Sequence, residues 1–211
     1  MEELDKTIEE IIKLEWDFFD KVQNEGGRAF CQDDWETFSL MRRSQYSAWS
    51  RAMLESWRAD LLRAAEEGRN PMTEKYGYMM AHSEPSQNAE LLKRLPAVPE
   101  EKRKLCRSIV ERLIAQNEGF RQKYPRLSGR GRPLRTEEEK AAGWTSVETY
   151  QSGELLTYSM KTLALLDEKI TEFENEGKSY PETIIENSLK ARGIKSAADA
   201  EARLAANDDK H

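Results

Sequence analysis

The sequence predicts an all-α fold: a single-domain helical assembly with three long amphipathic helices and several short ones. Three observations predict it. Apolar residues recur at helical spacing through most of the chain. No run alternates apolar and polar residues over the length of a strand. A charged fraction of 34% beside a hydrophobic fraction of 38% fits helices with heavily solvated outer faces. At 211 residues the chain suits one domain and is large enough to bury a core without metal or disulfide staples.

Residues 3–23 form the first helix. Steps of 100° per residue put Leu4, Ile8, Ile11, Phe18, Phe19 and Val22 on one side, widened by Ile12 and Trp16, with Glu15 near the middle of that face. Gly26-Gly27 stops it. Asp33 or Asp34 caps a second helix, read as continuous to about residue 67, whose apolar side holds Trp35, Phe38, Trp49, Met53, Trp57 and Leu61. Arg42 and Asp60 are 18 residues and five turns apart, so they share one direction among those aromatics. Gly68, Asn70 and Pro71 end the helix, Thr73 caps a short helix over 74–81, and 83–99 is a proline-punctuated connector with a turn near 88–92.

Residues 100–124 are helical through Leu105, Ile109, Leu113 and Phe120, and 125–133, PRLSGRGRP, is a loop rich in glycine and arginine. Thr145 or Ser146 opens a third long helix to about residue 176. Its apolar side holds Leu155, Leu163, Leu166, Ile170 and Phe173, while Tyr150, Glu154 and Tyr158 form a different stripe. Pro181 starts a short helix to about residue 191, closed by Gly193. The main helical domain thus spans 1–193, and 194–211 adds a short peripheral helix with a frayed acidic tail.

A net charge of −6 gives no strong nucleic-acid signal, since phosphate contacts draw on a Lys and Arg excess. No apolar run approaches 18 residues and no basic-then-apolar leader opens the chain, which predicts a cytoplasmic protein without a membrane partner. Two cysteines, Cys31 and Cys106, make neither a disulfide framework nor a four-ligand zinc site. No cofactor and no oligomeric state is specified by the pattern.

The chemistry gathers in 24–46, which passes from a glycine pair through Arg28 and Cys31 into a helix carrying Arg42, Arg43 and Gln45. Glu15, Arg42 and Asp60 all fall on aromatic-rich faces, where a charge must snorkel, pair or bind something. Antiparallel packing of the first two helices across Gly26-Gly27 predicts that Glu15 meets Arg42 in the interior, either as a structural ion pair or as the lining of a pocket. Cys31 precedes a helix N-terminus and lies near Arg28, both of which favour a thiolate; inert packing is the alternative. Its histidine partner would have to be His82, because the second histidine, His211, is terminal. Arg28, Arg42, Arg43 and Arg69, with Arg130 and Arg132, are suited to a carboxylate or phosphate, the loop that carries the last two being read as solvated or, alternatively, as a basic lid or anion contact. Arg28 and Arg69, at opposite ends of a continuous helix, would stand roughly 50 Å apart. No Glu-x-x-His occurs, and no residue is assigned as a metal ligand.

NEGGRAFCQDD (24–34), MRRSQY (41–46), GRNPMTEKYGYMM (68–80), GRP (131–133) and TSVETYQSGELLTYS (145–159), in this order, resemble the bacterial family catalogued as domain of unknown function 4125. The resemblance spans most of the chain and implies no established reaction. It implies that the family's characteristic positions fall here on Glu15, Trp16, Gly27, Arg28, Cys31, Gln32, Arg42 and Gln45, then on Arg69, Asn70, Lys75 and Tyr76, and on the Glu154, Thr157 and Tyr158 group. That mixture is more like a polar pocket than a packing signature.

The resulting expectation is a helical protein with a polar pocket for an anionic or zwitterionic small molecule, of unspecified reaction class. Arg28 and Arg42 would clamp the negative group, Gln45, Arg69, Asn70 and Lys75 would complete the binding set, Glu15 would accept a proton or support the site from behind, and Cys31 would be the covalent or redox residue. A noncatalytic interaction or scaffold module is the first alternative and a carboxylate-ligated metal protein the second.

Overall fold

The computed structural model describes residues 2–24 and 26–208; among these it contains twelve α-helices, two short 3-10 turns and no strand. Residues 209–211, the end of the expected acidic tail and the site of His211, lie outside the described residues. Among the described residues no helix is long and apolar enough to cross a membrane.

Helix α1 (Glu2–Asp20) buries Ile8, Ile11, Ile12, Phe18 and Phe19, with Glu15 among them. Gly27 takes φ +85°, and a 3-10 turn over Phe30–Asp33 leads into α2 (Trp35–Tyr46), where Asp34 accepts the Thr37 amide. Helices α1 and α2 run antiparallel, since Phe19 stacks on Phe38 at one end and Glu9 pairs with Arg43 toward the other.

The helix expected to continue to residue 67 ends at Tyr46. Ser47, Ala48 and Trp49 make a tightened turn, Ser50 goes extended and accepts the Met53 amide, and α3 (Arg51–Glu66) begins on a new axis. The break turns Trp49 inward, where its indole donates to the Tyr180 hydroxyl at 2.7 Å. It also cancels the shared direction of Arg42 and Asp60. Helix α4 (Pro71–Ser83) starts three residues before the expected position, because Asn70, rather than Thr73, caps it with Pro71 in the first turn.

After α5 (Ala89–Leu92), the 24-residue α6 (Glu100–Lys123) supplies the longest core stripe, through Cys106, Ile109, Val110, Leu113, Ile114 and Phe120. A short α7 (Pro125–Ser128), a loop, a 3-10 turn over Thr136–Glu138 and α8 (Glu139–Ala142) lead to α9 (Val147–Leu155).

The third expected long helix is also two helices. Ser159 is extended, accepts the Thr162 amide and opens α10 (Met160–Asn175). Asp60 of α3 sits against that new N-terminus, accepting from Ser159 N at 2.9 Å and Thr162 Oγ1 at 2.7 Å. A continuous helix would place Glu154 on a side stripe; the break at 156–159 gives α9 its own packing and turns Glu154 inward. Helix α9 packs against α4 on one side and α6 on another, so none of its residues is exposed and Glu154 is buried.

Helix α11 (Tyr180–Ala191) packs on α2 and α6, and α12 (Ala197–Asp208) packs on α7 and α11. Phe120, Leu189, Ala197 and Ala200 form a second small apolar cluster there, beside the main core.

Candidate functional site

Four ionisable side chains meet inside the main core: Glu15 of α1, Arg42 of α2, Lys75 of α4 and Glu154 of α9, exposed by 1, 7, 2 and 3%. Local geometry puts Glu154 there. Gly153 precedes it, and a Cβ at Gly153 would lie 2.8 Å from the Lys75 carbonyl oxygen, so only glycine lets α9 seat this closely on α4. With the helices in contact, Lys75 Nζ donates to Glu154 Oε2 and lies 3.5 Å from the centre of the Tyr150 ring. Arg42 Nη1 donates to both Glu154 oxygens at 3.2 and 3.3 Å, Gln45 Nε2 donates at 3.1 Å, and the Tyr158 hydroxyl donates at 3.0 Å. Burial opposes ionisation of Glu154, but Arg42 and Lys75 outweigh it and hold the carboxyl well below the usual range. Lys75 is raised because Glu154 outweighs the same burial.

Glu15 is placed differently. The Trp57 indole donates to its Oε1 at 3.2 Å, while Oε2 lies 3.2 Å from Arg42 Nε without an aligned hydrogen bond. It gains the charge of the guanidinium but not a full set of donors. Burial therefore dominates, and its pKa is raised against the pull of Arg42. Two acids and two bases balance in the buried set, yet one acid is well solvated by the protein and the other is not.

A cleft of about 980 Å³ opens over this group. Arg42 and Gln45 form part of its floor, with Tyr150 and Tyr158. Gln45 also accepts, through its carbonyl oxygen, from Arg42 Nη1 at 3.0 Å. Arg42 Nη2 has only the Met72 thioether, at 3.9 Å, a weak acceptor.

Around the rim stand Arg121, Arg130, Arg132 and Arg192, whereas Asp34 is the one carboxylate among the lining residues. Arg132 donates to Thr145 O at 3.0 Å and lies 5.3 Å from the Tyr150 ring centre. Arg192 donates to Ser188 Oγ at 2.5 Å. Among the described residues, Arg130, Arg132 and Arg192 make no carboxylate ion pair. Arg132 and Arg192 are thus oriented by neutral groups and keep their charge uncompensated.

Of the residues singled out in the sequence, Cys31, Arg42 and Gln45 line the cleft; Glu15 and Lys75 lie behind its floor, paired with Arg42 and Glu154. Arg28 is exposed and ties down the end of α1, bridging Asp20 at 2.6 Å and Asp33 at 2.8 Å. Gln32 completes that closure, donating to Phe19 O and Val22 O. Arg69 pairs with Glu67 and Glu74, and Asn70, besides capping α4, donates to Phe18 O at 2.8 Å. The two glycine-arginine segments, expected roughly 50 Å apart on one helix, both close the C-terminal turn of α1, because the break at 47–50 folds the chain back.

Cys31 is exposed, and His82 bonds Thr136 and is not among the cleft-lining residues, so the two do not form a dyad across the cleft. Asp60 is taken by α10 and Arg63. Among the described residues no cluster of three or more His, Cys, Asp or Glu has metal-holding geometry. Tyr180 opens α11 and Arg192 caps its C-terminus; neither was singled out, because no local signal reports the approach of α11 to α2.

The family model described as Protein of unknown function (DUF4125) matches residues 5–202, nearly the whole chain, and the chain belongs to that family. No curated protein and no solved structure matches it.

Proposed function

We propose that this member of the family binds a small organic anion in the cleft above Arg42. One observation carries the reading. Arg130, Arg132 and Arg192 line one concave site without carboxylate partners, in a chain whose overall charge is negative. Guanidinium groups that are not neutralised, two of them (Arg132 and Arg192) held by neutral acceptors, suit a carboxylate or phosphate, and a cleft of this size falls at the upper end of ordinary ligand pockets. Arg42 Nη2 supplies a further donor from the floor. The excess of arginine over the single Asp34 favours an anion over a zwitterion.

In this reading Arg28, Arg69 and Asn70 build the frame, Arg42 touches the ligand, and Glu15, Lys75 and Glu154 are positioning residues that act through Arg42. Cys31 is the side chain in the cleft able to act as a nucleophile.

A thermal-shift screen of metabolites sorted by charge tests it, because a ligand that binds the folded state raises its apparent stability. Anions are the expected hits, weakened by added salt and lost in an R130Q/R132Q/R192Q variant. Hits that are neutral or cationic and indifferent to those three substitutions would overturn it.

A further inference from the structure

We infer that the anion taken by this cleft is an amphipathic acid, a single charged head carried on an extended hydrocarbon body. The inference rests on the anion-binding reading and adds the chemistry of the rest of the ligand. Charge and apolar surface are separated along the site. Arg130, Arg132 and Arg192 are exposed at the rim, whereas the half-buried Leu127, Val147, Ile184 and Ile185 give the same cleft apolar lining. The cleft holds the equivalent of roughly thirty waters at their liquid volume. An ion the size of phosphate would leave most of them against apolar walls.

Several polar groups between rim and floor are engaged within the protein, whereas the side chains of Tyr76, Tyr150 and Gln151 make no hydrogen bond among the described residues. Trp49 donates to Tyr180, Tyr158 donates to Glu154, Gln45 bridges Arg42 and Glu154, and Asn117 donates to Leu113 O. A sugar or polyol would have to share its many hydroxyls among the few free groups and bury the rest against apolar lining, and a hydrocarbon would not.

Calorimetric titration of the full chain with hexanoate, octanoate and decanoate, beside 1-octanol and inorganic phosphate, tests the inference. Affinity is expected to rise about fourfold per added methylene, the transfer value for a buried CH₂. Octanoate is expected to bind more tightly than 1-octanol, and that advantage should vanish in the R130Q/R132Q/R192Q variant, whose altered side chains are all exposed. A flat series with phosphate as tight as decanoate would overturn the hydrocarbon body and leave the anion reading standing. A rising series in which 1-octanol equals octanoate, unchanged by the triple variant, would overturn the anion reading and this inference with it. Absence of binding by every probe would overturn both.

Discussion

Replacing Glu154 by glutamine removes one charge from a buried group that holds two acids and two bases. The size of the loss decides whether that group is structural. If the pairs behaved like exposed ones, the cost would be about 0–1 kcal/mol. Glu154 is instead buried, and it accepts from Arg42, Gln45, Lys75 and Tyr158 together. Losing one partner of a buried pair leaves the opposite charge unpaired, which costs about 3–5 kcal/mol. For a chain of this size that is a fall of about 6–20 °C in Tm.

The pH dependence carries a second signature. Without Glu154, burial and Arg42 both push the Lys75 ammonium down from its ordinary 10.5. The unfolded state then binds more protons than the folded one, so Glu154→Gln should regain stability as pH rises toward that ordinary value. Adding Lys75→Met restores a one-to-one balance of Glu15 and Arg42, so the double variant should be more stable than Glu154→Gln alone. Urea denaturation at several pH values, with linear extrapolation, reads all three. A loss below about 1 kcal/mol for Glu154→Gln, or losses that simply add in the double variant, would refute the reasoning.

Glu15 has the opposite sign to Glu154. Its folded pKa is raised above 4.5, so its contribution is full below that value and is lost as pH rises through the raised one; Glu154, being lowered, contributes above its ordinary value and loses that as pH falls. Glu15→Gln keeps the acceptor for Trp57, so as pH rises above 4.5 the variant should lose less stability than the parent, and an unchanged slope in urea titrations would sink the idea. Gly153→Ala forces a methyl group against the Lys75 carbonyl and should cost about 1–3 kcal/mol by thermal denaturation; a neutral result would mean that α9 does not need this close approach to α4. Thiol titration should find Cys31 accessible in the native protein and Cys106 accessible only on unfolding, since burial pushes the Cys106 thiol up to about 11. Equal native rates for both would contradict that placement.

The all-helical architecture and the inward turn of Glu15 and Arg42 were legible because both depend on local spacing, which 100° steps report directly. Apolar spacing remained plausible straight through 47–50 and 156–159, so the two helix breaks were not legible from period. Their signals were the serines at Ser50 and Ser159, ordinary caps that compete poorly with a strong apolar pattern. The consequence was larger than two misplaced boundaries. A continuous second helix aims Asp60 at Arg42, whereas the broken one sends Asp60 to the N-terminus of α10. A continuous third helix leaves Glu154 on a side stripe, whereas the broken one makes it the acceptor of the buried group.

The same breaks explain why the cleft exists at all. Four helices contribute charges to one point, and three of the four charges sit near a place where a helix is stopped or must approach closely: Arg42 before Ser47, Glu154 beside Gly153 and just before Leu156, Lys75 after the Asn70 cap. Without those interruptions, longer apolar stripes could pack along their whole length and would leave no floor to line. Arg42 belongs to both systems at once, closing the buried balance through Nε and Nη1 and lining the cleft. A substitution there should therefore change stability and ligand affinity together. Substitutions at Arg130, Arg132 or Arg192 should change affinity alone, and that contrast separates a binding site resting on a structural ion network from an ion network with a cleft beside it.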